Sequence, residues 1–431
     1  MPHEAFIADV LNIKPELVSE ISTINQSDGA LIIKLKLVLK SRTCPCCSSN
    51  ANIHGYYQRQ LTHSVLADRS CTIVYLQRRF KCPACGFTFH ESNPFANSND
   101  GLTHITKINI LKELKRPEAT YSSVARRYDV SIATVVRLFE KHVNIPRKPL
   151  PKILSIDEHY FPESDYDSLY CCLLMDFFTG EIIDVLPDRR KNYVLNYLSK
   201  IKAQSYDYSS HTSELDNVRY FSTDLSDSFR DIAKTSFPNA VICADSFHVL
   251  QHLTKCFRDI RLKCRRTTQD PVMAYLLTKF KFVLQHDAKL DNEPQYNRKL
   301  GMYVNYRKIR DILLRNFPEL EAAYNLKEYY INFNGTAVGS CDEERFESVI
   351  NLFADCGIAE YEEFYGLLRN WKQEIINSFR TVEGRRINNS YIESKNRILE
   401  RLLYNANGFG NFKRTRNRIM YCLNRYDNFT L

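Results

Sequence analysis

Three short apolar runs in the middle of the chain each stop on an aspartate: Ile153-Leu154-Ser155-Ile156-Asp157, Val218-Arg219-Tyr220-Phe221-Ser222-Thr223-Asp224 and Ala240-Val241-Ile242-Cys243-Ala244-Asp245. A short continuous apolar run reads as a strand covered on both faces, and an acid at its end marks where the chain meets solvent or an ion. Two further strands, 170–178 and 181–186, are joined by a Thr179-Gly180 turn. Helical spacing fills 191–203 and 228–236, so the order is β-β-β-α-β-α-β-α. A mixed α/β sheet with acids gathered at one edge is the expected result.

That order is the order of a ribonuclease-H-like domain. Phosphodiester cleavage without a covalent enzyme intermediate can use two divalent ions about 3.5–4 Å apart, held by rigid carboxylates. Asp157 and Asp224 fit as ligands from neighbouring strands. A third carboxylate is expected from the polar, basic helix Asn388-Asn389-Ser390-Tyr391-Ile392-Glu393-Ser394-Lys395-Asn396-Arg397, where Ser390 and Ser394 permit close approach to Glu393. Glu400, on the same helical face, is its competitor. Residues 225–392 are too many for a loop. Helical spacing over 249–265, 271–286, 298–317, 318–329 and 361–378 predicts an all-α insertion at about 249–380, which holds the only tryptophan, Trp371.

The net charge of +9 is unevenly placed. Residues 31–150 carry about +12 and residues 385–431 about +7, while 151–384 carry about −6 and the first 30 residues about −4. Clustered Lys and Arg interleaved with Tyr and Phe suit a polyanion, because each neutralised phosphate releases a counterion. Hydrophobic residues at 44% and charged at 25% lie in the range of globular proteins. No run of about 18 apolar residues is present, and the start of the chain lacks a secretory pattern, so no membrane contact and a cytoplasmic location are expected.

In a reducing compartment the 14 cysteines point to metal binding or burial, not disulfides. Cys44-Pro45-Cys46-Cys47 and Cys82-Pro83-Ala84-Cys85 are two knuckles whose four thiolates, Cys44, Cys47, Cys82 and Cys85, suit a structural Zn²⁺. Cys46, His54 and His63 are the alternative ligands. Strands at 54–57 and 72–77 fill the gap, which gives a zinc ribbon over 1–95. Residues 96–150 read as a helix-turn-helix: a helix over 105–114, then Ser122 to Tyr128, the turn Asp129-Val130, a capping Ser131 and a second amphipathic helix from Ile132. Ala125 allows the helices to cross closely. Ser131, Ala133, Thr134 and Arg137 are expected to face DNA bases, with Arg126 and Arg127 on phosphates.

With these motifs in order, the chain resembles the bacterial insertion-sequence transposases of the DDE class, in the IS-L-three group. The resemblance rests on the knuckles, the helix-turn-helix, Ile156-Asp157-Glu158, Asp245-Ser246-Phe247-His248, Glu393-Ser394-Lys395-Asn396, and Gly408 to Phe412 followed by arginines. It implies a catalytic triad of Asp157, Asp224 and Glu393 holding Mg²⁺ or Mn²⁺ in a domain spanning 151–431. It also implies double-stranded terminal inverted repeats and target DNA as partners, and a homo-oligomer on paired ends. Ser394 and Asn388 depart from the commoner residues at their positions. Asp245 and His248 are expected as accessory groups. A zinc-containing helix-turn-helix regulator derived from an inactive transposase is the alternative, distinguished by whether inverted repeats flank the gene and whether the protein cuts them.

Overall fold

A computed structural model describes residues 7–8, 11, 13–66, 69–161, 168–338, 342–387, 390–406, 410–425 and 428–430. Asn388, Asn389, Gly408 and Phe409 of the motifs above lie outside them. The chain divides into two compact units, residues 1–146 with 398–431, and residues 147–397.

In the first unit, strands β1 (Val18–Asn25), β2 (Leu31–Leu37), β3 (Asn52–Leu66), β4 (Arg69–Lys81) and β5 (Thr88–His90) form one sheet ordered β1-β2-β4-β3, with β5 on β4. The predicted ribbon strands are the start of β3 and the centre of β4, an antiparallel pair running from Asn52↔Lys81 to Leu66↔Arg69. Ile33, Leu35, Leu61, Ile73 and Tyr75 are its buried core. Three helices follow, α1 (His104–Glu113), α2 (Tyr121–Arg127) and α3 (Ile132–His142). Thr103, Thr120 and Ser131 cap them by accepting from the amides of Thr106, Ser123 and Thr134. The turn between α2 and α3 uses Asp129 at φ 51°, a left-handed conformation that aspartate tolerates better than most residues.

The second unit contains β6 (Ile153–Tyr160), β7 (Tyr170–Asp176), β8 (Ile182–Leu186), α4 (Lys191–Ser205), β9 (Tyr220–Thr223), α5 (Asp227–Ser236), β10 (Val241–Ala244) and α6 (Ser246–Thr267), in the expected sequence of elements. The sheet order is β10-β9-β6-β7-β8. β6, β9 and β10 run parallel, and β7 and β8 run antiparallel to their neighbours. Leu154, Ile156, Leu174, Phe221, Val194 and Phe229 are among the residues that bury the sheet against α4 and α5. One expectation is corrected. β6 does not end at Asp157 but continues to Tyr160, because its pairing with β7 persists to Tyr160↔Tyr170 after its pairing with β9 has stopped at Ser155↔Ser222.

The insertion is α6, α7 (Pro271–Lys279), the hairpin β11 (Gln295–Asn297) and β12 (Met302–Val304), α8 (Tyr306–Asn316), α9 (Pro318–Thr336), α10 (Glu343–Ala354), α11 (Glu362–Asn370) and α12 (Lys372–Ser378). It is not all-α. Residues 298–304, expected to be helical, form a turn and a strand, closed where Gly301 at φ 67° donates its amide to the Asn297 carbonyl. The helix expected over 361–378 breaks at Trp371, whose buried ring lies under Arg230 with the guanidinium 4.2 Å from its centroid. α10 was not anticipated, although Phe346, Val349, Ile350 and Phe353 bury one helical face. At its end the insertion is tied to the sheet, where the Asn377 amide donates to the Ile242 carbonyl of β10 at 2.9 Å.

After the hairpin β13 (Thr381–Val382) and β14 (Arg385–Arg386), the helix α13 (Ser390–Ala406) leaves the second unit, and α14 (Phe412–Leu423) belongs to the first. The sequence had grouped residues 398–431 with the catalytic region. Instead α14 packs on α1–α3: the Tyr421 hydroxyl donates to the Leu111 carbonyl at 2.8 Å, its ring meets Phe139, and the buried Arg418 caps the Arg116 and Ala119 carbonyls. Part of the C-terminal positive charge is therefore structural.

Candidate active site

The knuckles form first from local rules. In each, the first cysteine's amide donates to the carbonyl five residues on (Cys44 to Ser49, 2.8 Å; Cys82 to Phe87, 2.9 Å). Its carbonyl accepts from the residue four on (Ser48 and Gly86, both 2.9 Å). Ser48 and Gly86 both take left-handed φ, 60° and 72°. These matching turns, held together by the β3–β4 pair, bring the Sγ atoms of Cys44, Cys47, Cys82 and Cys85 within 4.8 Å of one another. The Cys44–Cys85 and Cys47–Cys82 separations are 3.7 and 3.5 Å, against about 3.8 Å for the edge of a tetrahedron with metal–sulfur bonds of about 2.3 Å. The donor set fits Zn²⁺ and leaves no open position. Hydrogen bonds from Ser49 pull the Cys47 thiol down, while the Cys85 thiol, lowered by the Phe87 amide, is pushed up on balance by the neighbouring sulfurs, as four thiols crowded at one point do. Cys46 and His54 are exposed, and His63 is buried on the Thr103 hydroxyl at 3.0 Å, so none of the alternative ligands joins the four sulfurs.

The acidic centre follows from strand register. Ser155 pairs with Ser222, and Thr223 with Ala244. Continuing that register puts Asp157, Asp224 and Asp245 level with one another, Asp224 and Asp245 just past the carboxyl ends of β9 and β10 and Asp157 within β6, where its pairing with β9 has stopped. Asp157 is 7% exposed. One of its oxygens accepts from the Glu158 amide at 2.8 Å and the other from the Asn396 side chain at 2.7 Å. Burial, opposed by those hydrogen bonds and reinforced by the Asp224 charge, raises its pKa to about 6. Burial also raises Asp224, with His248 opposing and Glu158 adding to the shift.

Glu393 arrives in the first turn of α13. The Tyr391 ring rests 3.5 Å from the site a Cβ would take on Gly180, which sits at φ 66° in the β7–β8 turn. Arg385 lies between Tyr391 and Phe177, at 4.6 and 4.8 Å from their rings. So held, Glu393 meets Asp245 and His248: one ligand atom from each lies within 4.8 Å of the others. Its Oε1 is buried with no hydrogen-bond partner among the described residues, and burial and the Asp245 charge raise its pKa. Glu400 is exposed and outside this group.

Among the described residues, then, the mutual 4.8 Å groups of three or more ligands are the four cysteines and Asp245–His248–Glu393. Asp157, Asp224 and Glu393 are not by themselves such a group. Glu393 is joined to the row through Asp245, which the register sets beside Asp224, and His248 faces the same group. Asp245 also caps α6, its Oδ1 accepting from the Phe247 amide at 3.3 Å. The sequence reading gave no role to Asn396 or to Arg189, which pairs with Glu158. Asn396 stands one turn after Glu393 on the same helix, and that spacing was the available signal.

A transposase family model, of the DDE class and IS-L-three group, matches residues 154–419. The chain belongs to this transposase family. The match takes in every acidic residue of the site and the whole insertion. Among curated proteins no relative matches.

The helices α2 and α3 of the transposase present Arg126, Arg127, Ser131, Ala133 and Arg137 to solvent, with Thr134 half-exposed beside the Ser131 hydroxyl. Val135, Leu138 and Phe139 form the buried face of α3. Ile132, the first residue of α3, is an apolar side chain 52% exposed. No helix among the described residues is long and apolar enough to cross a membrane.

Proposed function

We propose that this transposase binds the terminal inverted repeats of its insertion sequence and cuts and joins DNA at Asp157, Asp224 and Glu393. The observation that carries the reading is the row of aspartates across three parallel strands with a helix-borne glutamate brought up to it. The strand order β10-β9-β6-β7-β8, with three antiparallel strands followed by two parallel additions, supports a ribonuclease-H-like catalytic domain.

Bound Mg²⁺ or Mn²⁺ supplies Lewis acidity to the attacking and leaving oxygens. The chain's own part is positional. Asn396 and the Glu158 amide fix the Asp157 carboxylate, the β6–β9 register sets Asp224 beside it, and the Arg385–Tyr391 stack sets the start of α13. In the first step a water oxygen bonds to phosphorus as the bond from phosphorus to the 3′ oxygen breaks, and that oxygen gains a proton. In the second step the freed 3′-hydroxyl oxygen bonds to a target phosphorus and gives up its proton, while the bond from that phosphorus to the target's own 3′ oxygen breaks and that oxygen gains a proton.

Arg137, Ala133, Thr134 and Ser131 would read bases from α3, with Arg126 and Arg127 on phosphates, and Zn²⁺ would hold the ribbon. Within the insertion, a cleft of about 800 Å³ is lined by Lys255, Arg258, Arg261, Lys281 and Lys327. It begins about one turn beyond His248 on α6, at Gln251, and extends to Arg261, about 15 Å along the helix, which suits a DNA strand leaving the acidic centre. A homo-oligomer would assemble on paired ends in the cytoplasm. The test is incubation of the protein and Mg²⁺ or Mn²⁺ with duplexes carrying the inverted repeats that flank its gene. Nicks confined to those ends support the reading; specific binding without nicks would favour the regulator.

A further inference from the structure

We infer that one divalent ion of this centre is held by Asp245, His248 and Glu393, with an imidazole nitrogen among its ligands, while Asp157 and Asp224 hold its neighbour. The inference rests on the metal-dependent reading above and changes its ligand set, since Asp245 and His248 become ligands and not accessory groups. The ligand atoms of the three residues lie within 4.8 Å of one another. His248 Nε2 stands 3.9 Å from Asp245 Oδ2. That is too long for a hydrogen bond, yet it lies within the roughly 3.0–4.4 Å that separates two ligands of one ion at bonds of about 2.2 Å.

Two further observations point at an ion. Glu393 Oε1 is buried without a partner among the described residues, and an unsatisfied carboxylate oxygen is costly unless a proton or a cation answers it. Asp245 Oδ1 accepts from the Phe247 amide at 3.3 Å, which fixes the carboxylate with Oδ2 facing His248. The register places Asp245 beside Asp224, and Asp224 beside Asp157, so the two ligand groups adjoin across one strand. An all-oxygen site suits Mg²⁺, whereas an imidazole shifts preference toward Mn²⁺ and other first-row metals. The site is accordingly expected to bind Mn²⁺ more tightly than Mg²⁺.

The test is Mn²⁺ titration of the full-length, zinc-loaded protein, followed by electron paramagnetic resonance. The expected result is two Mn²⁺ per chain, with pulsed spectra showing ¹⁴N coupling that changes to the ¹⁵N pattern when histidine is ¹⁵N-labelled. His248→Gln should abolish that coupling and weaken one site at least tenfold, whereas Asp157→Asn should weaken the other site and keep the coupling. The labelled wild type carries the test should His248→Gln misfold. Absence of nitrogen coupling in the wild type, or its survival in a folded His248→Gln, overturns the ligand assignment. These outcomes are separable from failure of the functional reading. A protein that cuts its ends through Asp157, Asp224 and Glu393 without nitrogen coupling refutes this inference alone; nitrogen-coupled Mn²⁺ in a protein that never cuts refutes the activity alone.

Discussion

At Asp157 the fold keeps a carboxylate where little water reaches it, beside a second acid. Its pKa of about 6, against the ordinary 3.8, means that the folded protein holds a proton the unfolded chain has released over that interval. The stability tied to that proton is complete below about pH 4 and is lost as pH rises through about 6. Without added divalent ions, the melting temperature should therefore fall between about pH 4 and 6. Asp157→Asn should flatten the fall and stabilise the protein at pH 7.5 by on the order of 3 kcal/mol. Asp224, also raised, leaves a residual slope. Melting curves that show the same pH dependence in both proteins would contradict the burial argument. The aspartates themselves were legible because apolar runs ended on them. Their alignment was not, since register is a property of paired strands, and the contribution of Asn396 depends on a helix that the insertion delivers from far along the chain.

At the scale of elements, the knuckles and the α2–α3 pair were readable because their rules are local: paired cysteine turns, a small residue at a helix crossing and a capping serine. The hairpin at β11–β12 and the break at Trp371 were hidden because helical spacing carries on through both, and tertiary contacts decide where it stops. The C-terminal helix was misplaced for a related reason. Its arginines look like a DNA-binding face, but Arg418 is buried on the carbonyls of Arg116 and Ala119. The ribbon predicts one Zn²⁺ per chain by elemental analysis, and Cys82→Ser should lower zinc content and open the β3–β4 end to hydrogen exchange. Full zinc occupancy in that variant would remove the four-thiolate assignment. Arg137 is exposed on α3 opposite the buried Val135, Leu138 and Phe139. Arg137→Ala should weaken binding to the inverted repeat by about 1–3 kcal/mol with little effect on random duplex; equal loss on both would make it a phosphate contact.

For the whole molecule, charge is partitioned by task. Acids cluster at the strand ends, and the insertion's cleft gathers cations along the helix that starts at the acidic centre. Arg258→Glu with Lys281→Glu, both exposed, should lower affinity for end DNA by about tenfold or more and make its salt dependence shallower by about two ions, with melting unchanged. An unchanged salt slope would remove the cleft from the DNA path. The central claim is that Asp157, Asp224 and Glu393 perform the cleavage. It is tested most directly by measuring cutting and binding together, on inverted-repeat duplexes with Mn²⁺, for Asp157→Ala, Asp224→Ala and Glu393→Ala. Each variant should bind the ends as the wild type does, yet cut them on the order of a thousandfold more slowly, the loss of several kcal/mol of transition-state stabilisation. Normal cutting by any of the three would contradict the account.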